Sequence, residues 1–122
     1  MVNSYRDLKV WQEAMTLAQE CYLMTKSFPK DEMYGMTTQI RRSAVSVAAN
    51  IAEGYGRDST GSYVHFLQIA QGSLKELETH LMLSERVQLV FQDATKTMLE
   101  RADGIGRMLR ALIRNLQGRG AQ

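Results

Sequence analysis

The chain has 122 residues, and at roughly 100 to 200 residues per domain that leaves room for one domain and no second core. Hydrophobic residues at 44% and charged residues at 23% describe a chain that folds, while one proline and 7% aromatics argue against a β-sandwich with its regularly spaced turns. Fifteen Lys+Arg against thirteen Asp+Glu leave +2, too little to demand a nucleic-acid partner and too much to exclude one, so the distribution of charge must decide.

The first periodic segment carries Leu8, Trp11, Met15, Ala18, Tyr22 and Thr25 at spacings of 3 and 4, with Ala14, Leu17, Cys21, Met24 and Phe28 in a parallel row. Two adjacent rows predict a helix over about 5–28 that touches more than one neighbour, ended by Pro29 because the residue before proline is pushed out of the α region.

A second helix is predicted over about 34–56, starting at Tyr34 or Met36, with Met36, Ile40, Ala44, Val47 and Ile51 on its apolar face. Ser43, Ser46, Ala48, Ala49 and Ala52 on its other faces are small, which suggests a central helix packed on several sides. Gly54 and Gly56 read as its C-terminal stop, and Asp58, Ser59 and Thr60 as caps for the next helix. Along the same helix runs a polar row, Arg42, Ser46, Asn50, Glu53 and Arg57, in which Arg42 and Arg57 are expected to pair with acids on a neighbouring helix or subunit.

The third helix, 60–86, repeats Tyr63, Leu67, Ala70, Leu74, Leu77, Leu81 and Ser84 in a nearly unbroken heptad rhythm. Gly72 within it costs about 1 kcal/mol relative to alanine and calls for a packing reason such as a close helix crossing. Ala94, Met98, Ala102, Ile105, Leu109, Leu112 and Leu116 predict a fourth helix over 92–117, continuous across Gly104 and Gly106, followed by a frayed polar tail from Gly118 to Gln122. Long helices on short connections imply an all-α fold, an antiparallel up-down-up-down four-helix bundle in a single domain, 1–122.

Chemistry is sparse along this chain. The single Cys21 cannot form an internal disulfide and fits a reducing cytoplasm; the N-terminus lacks the apolar stretch of a signal peptide; and the longest apolar-rich run, Ser43 to Ile51, falls well short of the ~20 residues that span a bilayer. His65 and His80 lie about 22 Å apart along one helix and cannot share a metal, and Glu76 with His80 reads as a helix-surface pair. Gly54-Tyr55-Gly56-Arg57 follows a helix and lacks the phosphate-loop pattern, so it reads as a turn. No catalytic, metal or cofactor set emerges, and an enzyme is not expected. The clearest signal is the C-terminal stretch: after Asp103 there are no acids, and Arg107, Arg110, Arg114 and Arg119 follow, the first three on one helical face. Cations there complement the helix dipole, and they also suit phosphate oxygens.

The stretch Phe28-Pro29-Lys30-Asp31-Glu32-Met33-Tyr34-Gly35-Met36, followed by Gln39-Ile40-Arg41-Arg42-Ser43-Ala44-Val45-Ser46-Val47-Ala48-Ala49-Asn50-Ile51-Ala52-Glu53-Gly54, resembles the signature of the bacterial four-helix bundle proteins, also called ribosomal-RNA intervening-sequence proteins. Phe66 to Glu78 resembles the second block of that family and Met108 to Leu112 its last helix, so the resemblance covers nearly the whole chain. It implies a bundle assembled as a homopentameric ring, and kinship with the accessory variability determinant of diversity-generating retroelements, a basic pentamer that binds reverse transcriptase and nucleic acid. It further implies that Arg41, Arg42, Asn50, Glu53 and Gly54 support fold or subunit assembly. The expectation is therefore a cytoplasmic, non-enzymatic homo-oligomer binding RNA or DNA through Arg107, Arg110, Arg114 and Arg119, with a reverse transcriptase or other protein as a further partner and no membrane. The competing expectation is a protein-interaction scaffold with no nucleic-acid role.

Overall fold

The computed structural model describes residues 2–120, with side chains through Gly118. Four α-helices make up most of it: α1 (Lys9–Thr25), α2 (Met36–Tyr55), α3 (Thr60–Arg86) and α4 (Lys96–Gly120), with no strand among the described residues. Each helix packs on its neighbours in sequence and α4 closes back on α1, whereas α1 with α3 and α2 with α4 lie across the diagonals. This is a four-helix bundle, its core built from Leu17, Ile40, Val47, Ile51, Leu67, Leu74, Leu77, Leu81, Ile105 and Leu109.

The first element is shorter than its apolar rows suggest. Leu8 is extended, separating a 3-10 turn at Tyr5–Asp7, capped by the Ser4 hydroxyl, from α1 itself. At the other end the helix stops at Thr25, whose hydroxyl donates to the Cys21 carbonyl at 2.8 Å, and Phe28 then dips into the core before Pro29. A second 3-10 turn, Lys30–Glu32, precedes α2, which begins at Met36, the later of the two expected starts, where the Glu32 carboxylate accepts the Met36 amide at 3.1 Å.

Gly54 is not a stop. It lies buried inside α2, and a Cβ there would come within 3.0 Å of both Tyr63 Cδ1 and Phe66 Cβ. The glycine is what lets α2 and α3 approach so closely, and Gly56 takes over as the cap. The small residues of α2 likewise divide: Ser43 and Ser46 face α3, while Ala48, Ala49 and Ala52 border α1. α2 thus packs against α1, α3 and both 3-10 turns, on several sides as its composition suggests, and among the described residues its backbone makes no close approach to α4, which lies diagonally opposite.

α3 opens with Ser59 as its cap, the hydroxyl accepting the Ser62 amide at 3.1 Å. Gly72 has no close crossing to explain it, since nothing lies within 4 Å of where its Cβ would stand, and Gly104 is the same. α4 begins at Lys96, four residues later than its apolar phase predicts. Gln88 and Asp93 adopt positive φ angles of 64° and 73°, which lengthens the connection, and the fully buried Thr95 sits at the helix entry with its hydroxyl on the Glu85 carboxylate. The helix continues through Gly120, past the expected frayed start at Gly118, while residues 121 and 122 of that tail lie outside the described residues.

Candidate nucleic-acid interface

α4 presents one exposed stripe, Lys96, Glu100, Asp103, Arg107, Arg110 and Arg114, while Met98, Ala102, Ile105, Leu109, Ile113 and Leu116 of the same helix are buried in the core. The stripe changes sign along its length. Its first half carries two carboxylates, and from Arg107 onward it is purely cationic over about 10 Å of helix axis. Arg107 is engaged with Asp103 at 3.1 Å, both side chains more than 60% exposed, a surface pair that a competing phosphate can displace at little cost. Arg110 and Arg114 make no ion pair among the described residues. The side chain of Arg119, the fourth residue of this set, lies outside the described residues.

The polar row of α2 resolves into separate local arrangements. Arg42 is exposed and makes no ion pair among the described residues, so of the expected partners, on a neighbouring helix or subunit, none is found on a helix of the described chain. Its neighbour Arg41 does the bridging, donating from Nε to Thr25 Oγ1 at 2.9 Å and lying 4.7 Å from the centre of the Tyr22 ring on α1. Asn50 donates to the Ser46 carbonyl and hydroxyl, and Ser46 shares a 2.7 Å hydrogen bond with Ser73 of α3. Glu53 and Arg57 pair with each other at 2.5 Å, and Arg57 lies over the Phe66 ring. His80 turns to Ser43, 3.4 Å from Nδ1 to Oγ, so the expected pair with Glu76 gives way to a contact between α2 and α3. Arg41 and Gly54 thus join helices of one bundle and Asn50 stays within α2, bonded to the Ser46 that reaches α3, while Arg42 and Glu53 stay on the surface.

One charged cluster escapes the spacing argument altogether. Arg101 of α4 reaches across to α1, donating from Nε to Glu20 at 2.9 Å and from Nη1 to Glu13 at 2.8 Å. These hydrogen bonds, Glu20 first, hold the guanidinium further above its already high ordinary pKa. A carboxylate pair seven residues apart on α1 was the available sequence signal, since that spacing returns to the same helical face.

Between α1 and α2 runs an apolar groove of about 510 Å³, floored by Ala48, Ala49 and Ala52 and walled by Trp11, Met15, Tyr22 and Val45. Met15 and Tyr22, which belong to the outer apolar row of α1, remain 46% and 42% exposed there. Among the described residues no group of three or more His, Cys, Asp or Glu could hold a metal ion, and no helix is long and apolar enough to cross a membrane.

The sequence model of the 23S rRNA-intervening sequence protein family matches residues 6–111, most of the chain. The fold is similar to a solved structure of a protein of unknown function from the S23 ribosomal protein family of Bacteroides thetaiotaomicron VPI-5482. The TM-score is 0.76 at 23% identity, over 85% of this chain and 97% of that one, a likeness of fold. No curated protein matches the sequence significantly.

Proposed function

The chain belongs to the 23S rRNA-intervening sequence protein family, and from that premise we propose that it is a non-enzymatic, cytoplasmic homo-oligomer that binds RNA through the outer face of α4. The observation that carries this reading is the acid-free stretch after Asp103, whose Arg107, Arg110 and Arg114 are exposed on one face of a helix anchored by its opposite side in the core. Three guanidiniums in a row offer planar forks to successive phosphates, and no carboxylate beyond Asp103 opposes them. The family description names 23S rRNA, which makes RNA the first polymer to try.

One such row is a weak binder, and assembly multiplies it. The groove between α1 and α2 supports a ring interface, because its exposed Met15, Tyr22 and Val45 are apolar and its alanine floor admits a neighbouring helix. α4 lies across from α2 in the bundle, so such a ring leaves part of α4 outward. Five protomers raise the charge from +2 to about +10 per particle and present five arginine rows to one strand. A buried free thiol supports the reducing compartment.

Fluorescence polarisation with a labelled fragment of ribosomal RNA across a salt series tests the binding, and light scattering coupled to size exclusion tests the assembly. Affinity that falls steeply with salt, from a particle near five times 13.8 kDa, is the expected result. A monomer that ignores RNA at low salt refutes both halves. Binding of an unrelated protein with no affinity for RNA would favour the scaffold reading, for which the same groove is the natural surface.

A further inference from the structure

Two glycines that the packing does not require face each other across the seam between α3 and α4. Nothing lies within 4 Å of a Cβ built on Gly72, and one built on Gly106 meets only Leu74 Cδ2 at 3.5 Å and Arg110 Nη1 at 3.6 Å, ordinary contact distances. Where they meet, the surface carries an open trough of about 290 Å³, lined by Gln71, Gly72, Leu74, Lys75, Gly106 and Arg110. That lining holds two cations, one amide and no carboxylate. Lys75 shares its ammonium with Glu78 at 3.0 Å, while Arg110 makes no ion pair among the described residues and folds back over Gly106.

We propose that this trough is a phosphate site that seats one backbone phosphate of a nucleic-acid strand, anchored by Arg110, with Lys75 on the opposite wall and the glycines keeping the trough open. The proposal rests on the RNA-binding reading above and deepens it by separating the three arginines. Arg107 has Asp103 as its partner and Arg114 lies a full turn further on, so Arg110 alone combines a guanidinium without a carboxylate partner with a concave surface beside it. The charge of the lining is complementary to a phosphodiester, and glycine is the residue that lets a ligand come close to the backbone. Gln71 also lines the trough, and an amide side chain suits a sugar hydroxyl as well as a phosphate oxygen.

The test uses the full chain with a fluorescein-labelled single-stranded oligouridylate and, separately, inorganic phosphate followed through backbone amide NMR shifts. R110Q, which removes the anchor, and G72L, which fills the trough and leaves every charge in place, are each expected to weaken oligouridylate binding about tenfold, and R110Q to lower the salt slope by about one. A111L, which adds the same bulk on the exposed side of α4 outside the trough, is expected to leave binding unchanged. If circular dichroism shows that G72L does not fold, G72A replaces it, with an expected loss of about threefold. Full-strength binding by the folded Gly72 variant overturns the trough and leaves the RNA-binding reading standing. If the wild-type chain ignores oligouridylate, the RNA-binding reading falls, and the phosphate arm decides the trough. Saturable shifts at the Gly72 and Gly106 amides that R110Q abolishes then support a phosphate site, and unshifted amides overturn it. Saturable phosphate shifts that bound oligouridylate does not displace identify a free-phosphate site and overturn the strand-backbone assignment.

Discussion

Gly54 on α2 and Tyr63 on α3 approach so closely that a methyl group on Gly54 would stand 3.0 Å from Tyr63 Cδ1 and 3.1 Å from the Tyr63 carbonyl oxygen. The backbone oxygen cannot swing aside as a flexible side-chain end can. G54A therefore destabilises the bundle by roughly 1–3 kcal/mol, although alanine is the better helix former, and the loss is read from urea unfolding. Unchanged or raised stability would show that α2 and α3 are too far apart for Gly54 and Tyr63 to meet.

Gly72 and Gly104 give the opposite expectation. Both lie inside helices with open space where a Cβ would stand, so G72A and G104A should each raise stability by roughly 0.5–1 kcal/mol. The two substitutions lie on different helices, and an additive double variant in thermal unfolding is the expected outcome.

Arg101 holds α1 to α4 through two carboxylates that are about three-tenths exposed. Partial exposure keeps the Coulomb gain modest, so R101M should cost roughly 1 kcal/mol, most of it disappearing in a double-mutant cycle with E20Q. A cycle that shows no coupling would remove the clamp from the account of how α4 docks.

Cys21 is fully buried, and burial first, with the negative charge of Glu20 behind it, pushes its thiol up to about 12. The folded chain binds this proton more tightly than the unfolded one. Its contribution is therefore fully present below the unfolded thiol value of about 9 and is lost as pH rises from there towards 12. At pH 8 the native thiol should resist a thiol reagent such as dithionitrobenzoate and react fully in denaturant. Rapid native labelling would contradict this burial.

The helical fold was legible because the heptad rhythm of α3 and the apolar phase of α4 run without interruption, and Ser59 stands where a cap is expected. What periodicity could not reach were effects that depend on a partner helix. Gly54 carries the same sequence signal as a helix stop, and only the distance to Tyr63 distinguishes close approach from termination. The apolar Ala94 extends the phase of α4 backwards into a connection that positive φ angles at Gln88 and Asp93 keep out of the helix. In the site, Arg107, Arg110 and Arg114 were visible from spacing alone. Their different surroundings, one paired with Asp103 and one beside a trough, were not, because the trough is made by residues more than thirty positions apart.

The most direct test of RNA binding through α4 is the dependence of RNA affinity on salt, measured for the wild-type chain and for R107E/R110E/R114E. Three phosphate contacts per chain on a single strand predict a slope of log affinity against log salt near −2 for each engaged protomer, and loss of measurable binding in the triple variant while its helical content persists. Unchanged affinity and slope in a folded triple variant would contradict the assignment of this face.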